Sequence, residues 1–302
     1  MSIRFAPAVM SLFGTALAWR AFAEYGGWPQ TLTSSVMIAL LALGLLGLGS
    51  IVFHLMHRAA FIEAVAHPHT RILPSGLTIG LMLLAALIGP VLPSVGVTVL
   101  WLGSLLHIAF LLWLINGWFQ GDVSLEQVSP GWFIPAVGNI VIPVGAMEYG
   151  QYALAWVGFS IGIMLWLALL PIVLLRLITV KPMPPELEAS QMILVAPPAI
   201  GAVSWSLMMP EAYWLPGLIL TLFAGFLWVA LVPLVFRVLG RSFYPANWAF
   251  GFPMAALATA LVKYGAILEQ PVMTWAGALV LVCVTSLVVW FLLGSARLIA
   301  KI

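Results

Sequence analysis

The chain has 302 residues, of which 64% are hydrophobic and only 7% are charged. Soluble domains are about half apolar and about a quarter charged, so this composition excludes a soluble globular protein. The net charge of +2 is too small and too scattered for a nucleic-acid surface, and the single cysteine excludes a disulfide framework and a cysteine metal site. These constraints leave an integral membrane protein with short loops.

Ten apolar runs follow one another along the chain. A bilayer core about 30 Å thick takes roughly 20 apolar residues per helix, so these runs occupy about 200 residues and leave no room for a sizeable aqueous domain. The runs are continuous rather than alternating between apolar and polar residues, which favours helices over a membrane β-barrel. We predict an all-α integral membrane protein whose single transmembrane domain covers residues 1-302 and begins with a membrane helix rather than a removed signal. The ten predicted transmembrane helices lie at about residues 5-23, 33-56, 72-92, 96-119, 131-148, 151-178, 189-209, 213-237, 244-268 and 272-296.

The positions of the cationic residues predict how the helices are oriented. Nine of them lie at the N-terminus, in loops after even-numbered helices or at the C-terminus, whereas only Arg20 and Lys263 lie on the other side. Cytoplasmic loops carry an excess of Lys and Arg, so both termini are predicted to be cytoplasmic. The nine residues are Arg4, Arg58, Arg71, Arg176, Lys181, Arg237, Arg241, Arg297 and Lys301.

Proline and glycine distinguish the odd-numbered helices from the even-numbered ones. Each odd helix has such residues at some depth, whereas the even helices have their few prolines towards their ends. Carbonyls freed by a proline are tolerated in a membrane only against protein or a water-filled cavity, which favours odd helices as the wall of a pore and even helices facing lipid. Simple helix packing also uses small residues, so this alternative stays open. The candidate kink and pore-lining residues are Pro7, Gly14, Gly80, Pro135, Gly138, Pro197, Gly201, Gly251 and Pro253.

Polar residues within the runs are few and do not suit catalysis. No carboxylate lies in the middle of a run, and the chain has no nucleophile triad, phosphate-binding loop or metal motif. His54 and His107 lie within runs, but nothing in their spacing indicates a haem. We therefore predict no enzyme, no catalytic residue, no metal and no cofactor. Arg20 and Lys263, at the outer ends of odd helices, either gather anions at the pore mouth or snorkel at the interface.

Several short stretches together point to one family. They are Ala16-Leu-Ala-Trp19, Trp132-Phe-Ile-Pro-Ala-Val137 and Trp248-Ala-Phe-Gly-Phe-Pro253, accompanied by Leu194-Val-Ala-Pro-Pro198 and the loop His67-Pro-His-Thr-Arg71. In this order they resemble the tellurite-resistance/C4-dicarboxylate transporter (TDT) family over nearly the whole chain. That family includes the TehA-type bacterial channels and the plant slow anion channels.

The resemblance implies a specific architecture. Family members are built from five helical hairpins in a quasi-fivefold arrangement around a central pore, with odd helices inside and even helices outside, and they assemble as homotrimers. It also implies a pore gate, because a phenylalanine of the family lies on helix nine, two residues after the aromatic residue of the W-A-F element. That position is Phe252 in this sequence, with Phe250 as its neighbour.

The function implied by the resemblance is ion transport in the plasma membrane, of the bacterial inner-membrane type. We expect a passive anion channel or uniporter of the tellurite-resistance type that conducts small inorganic or carboxylate anions. Chloride, nitrate, tellurite and small carboxylates all fit. A proton-coupled carrier that exports C4-dicarboxylates or oxyanions is the alternative, and a membrane subunit without transport activity is a third possibility.

Overall fold

The computed structural model describes residues 2–57, 59, 62, 65–66, 70–121 and 123–300. Arg58 and Lys301 of the charge pattern and residues 67–69 of the loop motif lie outside this part of the chain. The described residues are mostly helical, because a continuous apolar chain in a bilayer satisfies its backbone groups through intrahelical hydrogen bonds. The apolar helices are Ile3–Tyr25 (α1), Gln30–Leu55 (α2), Pro74–Ile88 (α3), Pro93–Phe119 (α4), Pro130–Ala146 (α5), Tyr152–Thr179 (α6), Pro185–Met208 (α7), the pair Leu215–Ala230 and Val232–Leu239 (α8), Pro245–Ile267 (α9) and Pro271–Ile299 (α10).

Seven of these helices are each long and apolar enough to cross a membrane: α1, α2, α4, α6, α7, α9 and α10. Helix α8 bends by 44° between its two parts and becomes the eighth candidate when the parts are counted as one span. Helices α3 and α5 are shorter. The protein is therefore an all-helical, multi-pass membrane protein with seven or eight candidate spans in its described part.

Burial alternates along the chain. Within an 18-residue apolar segment of each helix, 89%, 72% and 78% of the residues of α1, α7 and α9 are buried, whereas the shares for α2, α4, α6 and α10 are 22%, 33%, 28% and 44%. Most side chains of α3 and α5 are buried as well. The exposed helices are the more hydrophobic set, with mean hydropathy of 2.1 to 2.6 against 1.2 to 1.4 for the buried ones. The most apolar helices thus form the exterior, as expected where the surroundings are lipid.

The buried helices contact one another in a closed cycle. Helix α1 packs on α3, α3 on α5, α5 on α7, α7 on α9, and α9 returns to α1. Each even-numbered helix packs against the odd-numbered helix that precedes it in the chain. The odd helices therefore enclose the interior of the molecule.

Most of the buried helices change from 3-10 to α-helical geometry along their length. In α7 the 3-10 segment Ala189–Val195 precedes the α-helical part, and in α9 the segment Pro245–Phe250 does the same. Pro197 and Pro253 lie in the first turn of the α-helical parts that follow, and Pro7 has the equivalent position in α1. A proline is tolerated there because the N–H groups of a first turn have no intrahelical partner. These prolines thus mark a change of helix type rather than a kink within a regular α-helix.

Glycines on the outer helices allow close approach to the inner ones. A Cβ added at Gly44 of α2 would overlap the ring of Phe13 on α1, and one at Gly162 of α6 would overlap Ile140 on α5. A Cβ added at Gly217 of α8 would likewise overlap the side chain of Tyr264 on α9. Small residues at helix interfaces are a common basis of membrane helix association, because they bring two backbones close together.

The Gly44 contact makes a testable prediction. We expect Gly44→Ala to lower the thermal stability of the detergent-solubilised protein, since overpacking a tight interface costs about 1–3 kcal/mol. Gly49→Ala on the same helix is the matched control, because nothing lies within 4 Å of a Cβ at that position. Equal melting temperatures for the two variants, measured side by side, would contradict the α1–α2 packing described above.

Candidate permeation pathway

A narrow apolar cavity of about 40 Å³ lies at the centre of the closed cycle of helices. Its volume has room for only a few water molecules. All five odd-numbered helices contribute to it, and every described residue that lines it is apolar. We call this cavity the constriction, and its lining residues are Pro7, Met10, Ile79, Phe133, Ile134, Val137, Gly138, Val141, Ile193, Ala196, Pro197, Ile200, Trp248, Ala249, Phe252 and Pro253.

Two wider cavities lie on either side of the constriction. The first, which we call the Arg4 vestibule, has a volume of about 330 Å³ and is built by residues at the amino-terminal ends of the odd helices. It shares four lining residues with the constriction, so the two cavities are adjacent. The second, the Arg20 vestibule, has a volume of about 360 Å³ and is lined by the carboxyl-terminal parts of α1, α7 and α9 and by the end of α5. The three cavities together outline an hourglass along the interior.

The aromatic ring of Phe252 lies in the constriction beside α1. The side chain is 8% exposed, and a Cβ at Gly14 would lie only 2.8 Å from its Cδ2 atom. The absence of a side chain at Gly14 therefore provides the space that the ring occupies. Phe250 is directed elsewhere, since its buried ring lies 6.4 Å from the ring of Phe291 on α10. Of the two aromatic residues, only Phe252 lines the constriction.

The other residues singled out in the sequence are divided between the cavity wall and helix interfaces. Gly80 and Gly251 pack against α1, and Gly201 packs against α8. The carbonyl of Pro135 faces α4, where it contacts a histidine side chain. Among these sequence candidates, the ones that line the constriction are Pro7, Gly138, Pro197, Pro253 and Phe252.

Sequence reasoning did not identify most of the remaining wall. Met10, Ile79, Val141 and Ile200 line the constriction but belong to residue types that also fill every helix interface. No charge, periodicity or motif distinguishes them in the sequence. The only signal that identifies them is the closed cycle of contacts between the odd helices.

The Arg20 vestibule contains the two outer cations and two carboxylates. The Arg20 guanidinium lies 3.5 Å from Glu24 and 3.5 Å from Glu148, and the Lys263 ammonium lies 4.9 Å from the centre of the Tyr25 ring. The charges of the vestibule balance when all four groups are ionised. Burial raises the pKa of the Glu148 carboxyl, and the neighbouring Arg20 guanidinium opposes this shift. Protonation of Glu148 leaves the vestibule with a net positive charge.

The Arg4 vestibule has a different character. Arg4 and Glu186 are the charged residues among its described lining, and Ser129, Ser190 and Tyr244 supply hydroxyl groups. Both vestibules therefore contain charged and polar side chains, whereas every described residue that lines the constriction is apolar.

The fold and these cavities define a helical membrane protein with several interior cavities, and comparison with known proteins identifies the family. The profile of the SLAC1 family, described as a voltage-dependent anion channel, matches residues 1–296. The chain belongs to the SLAC1 family, which confirms the relationship that the motifs indicate. This is a family of anion channels and not of enzymes, as the sequence predicts.

Individual relatives are distant. An uncharacterised transporter of Methanocaldococcus jannaschii is 30% identical over 156 residues, which are 45% of this chain and 45% of the relative. The S-type anion channel SLAH2 of Arabidopsis thaliana is 30% identical over 168 residues, 55% of this chain and 32% of the relative. SLAH1 of the same plant is 25% identical over 179 residues, 58% of this chain and 46% of the relative. The matched segment spans less than half the length of each of these proteins.

The two vestibules can be tested by thiol labelling in a Cys283→Ala background, which removes the one native cysteine. We expect Ala246→Cys, in the Arg4 vestibule, and Thr259→Cys, in the Arg20 vestibule, to react with a membrane-impermeant reagent from opposite faces of the membrane. A cysteine reacts as its thiolate, which forms in water but not in apolar surroundings. Cysteines in water-filled vestibules should therefore be labelled. Val282→Cys, which is exposed on the outer helix α10, serves as the unreactive control. Labelling of both vestibule positions from one face would contradict the hourglass.

Proposed function

We propose that this protein is a passive anion channel or uniporter whose permeation pathway runs from the Arg4 vestibule through the constriction to the Arg20 vestibule. The observation that carries the proposal is the constriction itself, to which all five odd helices contribute and which has Phe252 in its wall. The family description and the plant relatives, named as anion channels, support anions as the permeant.

We propose that ten helices cross the membrane as five hairpins in a quasi-fivefold arrangement. Helices α3 and α5 complete the set, and their places in the closed cycle of contacts support this role. The 3-10 parts of α5 also lengthen it, since 3-10 geometry rises about 2.0 Å per residue. The resemblance to the TDT family supports a homotrimer in a plasma membrane, and the excess of cations beside the Arg4 vestibule supports cytoplasmic termini.

We propose that Phe252 is the gate. An anion in water is held by its hydration shell, and a narrow passage with apolar walls offers nothing to replace that shell. The ring of Phe252 narrows the constriction further by occupying the space beside Gly14. Anions are therefore excluded until the ring moves away.

The chemistry of the constriction favours a channel over a proton-coupled carrier. A coupled carrier needs a titratable group on the pathway at the point where access alternates. Every described residue that lines the constriction is apolar, so proton coupling has no partner there. Selectivity for small inorganic or carboxylate anions then comes from the vestibule cations, including Arg20 and Lys263, and increases when protonation of Glu148 leaves the Arg20 vestibule with a net positive charge.

The gate makes the principal prediction. We expect Phe252→Ala to produce anion-selective currents in planar bilayers that are larger than those of the wild type, because removal of the ring opens the constriction to water. Phe250→Ala is the matched control, because that ring packs against Phe291 and does not line the cavity.

Two results would contradict the gate. Equal currents for Phe252→Ala and Phe250→Ala would mean that loss of either aromatic ring from α9 opens the protein. The position of Phe252 in the constriction would then not explain the effect. Saturable uptake of a labelled C4-dicarboxylate into vesicles, driven by a proton gradient and without current in either variant, would support the carrier instead.

The Arg20 vestibule makes a prediction about pH. In the Phe252→Ala background we expect anion current to rise as the pH on the Arg20 side falls, because protonation of Glu148 leaves Arg20 less neutralised. The raised pKa of Glu148 moves this response to a higher pH than that of a free carboxyl. Glu148→Gln should give the high current at neutral pH and abolish the response, whereas Glu211→Gln, outside the vestibule lining, should not. A pH response that persists unchanged in Glu148→Gln would contradict this role.

A further inference from the structure

His107 is an unusual residue for its position in the fold. It lies on α4, an outer helix with only 33% of its 18-residue apolar segment buried, yet His107 itself is completely buried. Its Nε2 atom lies 3.0 Å from the carbonyl oxygen of Pro135 on α5, and its Nδ1 atom lies 2.7 Å from the hydroxyl of Thr78 on α3. One side chain of the outer layer thus connects two helices of the inner layer.

The partners determine which nitrogen of the ring donates. A carbonyl oxygen only accepts hydrogen bonds, so Nε2 must be protonated and donate to Pro135. In the neutral imidazole, Nδ1 is then an acceptor for the Thr78 hydroxyl, whose single proton also has the carbonyl oxygen of Ser75 within reach at 2.9 Å. The ring is held on both sides, and its orientation is fixed.

The Pro135 carbonyl accepts this hydrogen bond at a break in α5. The α-helical part Phe133–Val137 ends there, and the 3-10 segment Gly138–Val141 begins. A change of helix type interrupts the regular pattern of backbone hydrogen bonds and leaves carbonyls in need of other donors. His107 supplies such a donor from a neighbouring helix.

The His107 ring also lies directly behind the wall of the constriction. A Cβ at Gly138 would lie 2.6 Å from the Cε1 atom of His107 and 2.6 Å from Cδ1 of Ile79. Gly138 itself lines the constriction, as does Ile79. The thickness of the wall at this point is a single glycine backbone.

We propose that His107 is a positioning residue that holds residues 135–138 of α5 in place and thereby sets the width of the constriction. It contacts no permeant and acts only through the wall in front of it. The proposal rests on the proposed channel function and adds to it a determinant of the largest anion that passes.

The test measures size selectivity rather than stability. In the Phe252→Ala background, His107→Leu removes the donor to Pro135, so the wall is released and the constriction widens. We expect the permeability of isethionate relative to chloride to rise about twofold or more. His107→Gln, whose amide is able to donate to the same carbonyl, should keep the ratio closer to that of the parent. His54→Leu, an exposed histidine of the outer helix α2, should leave the ratio unchanged.

Gly138→Ala provides an independent variant if His107→Leu does not fold. Its methyl group would meet the His107 ring and displace the wall towards the pathway, so we expect the isethionate-to-chloride ratio to fall. An unchanged ratio in folded His107→Leu, or in Gly138→Ala, would overturn the proposal.

A second readout separates this proposal from the channel function. This readout uses protein that carries both Phe252→Ala and Cys283→Ala. Val141→Cys adds a single cysteine on the constriction wall beyond Gly138, and its rate of reaction with thiol reagents of increasing size measures the width of the constriction. We expect His107→Leu to accelerate the reaction of the larger reagents, whether or not anions permeate. Absence of current with faster labelling would overturn the channel function alone, and unchanged labelling would overturn the role of His107.

Discussion

Inside a bilayer, every backbone polar group must find its partner within the protein, and this constraint explains why the irregular helices lie inside. Breaks in α9 and α5 are met by side-chain donors from neighbouring helices. Ser11 of α1 donates to the Trp248 carbonyl on α9 at 2.6 Å, and Ser204 of α7 donates to the Ile140 carbonyl on α5 at 2.6 Å. His107 of α4 donates to the Pro135 carbonyl on α5 in the same way. The strongly apolar even helices α2, α4, α6 and α10 are each one continuous α-helix, need no such partners and are free to face lipid.

The same constraint shapes the interior of the molecule. Because the donors that satisfy the breaks lie between helices, the wall of the constriction is left with apolar side chains and glycine backbone. In the proposed channel, such a passage repels anions without binding them, and the ring of Phe252 closes it. Polar and charged groups return only where the odd helices end, in the two vestibules.

The sequence contains the main features of the membrane fold but not the details of the pathway. Apolar runs and the alternating placement of proline and glycine are visible because bilayer thickness and the geometry of proline act on local sequence. The family resemblance singles out Phe252 as a gate, and the structure places its ring in the constriction wall. The gating role stays a prediction. Ile79 and Val141 carry no signal, because an apolar residue on a wall and one at an interface are chemically alike. The hydrogen bond from His107 to Pro135 joins residues 28 positions apart on different helices, so no local sequence pattern predicts it.

The central claim is that a hydrophobic side chain at position 252 closes an otherwise open pathway through the five odd helices. The most direct measurement is the unitary conductance of purified protein in planar bilayers with Ala, Val or Leu at this position. We expect conductance to fall steadily as the side chain grows, since each added methyl group narrows and dries the same constriction. A conductance that does not depend on the size of the residue would contradict the claim, because the anions would then cross the protein elsewhere.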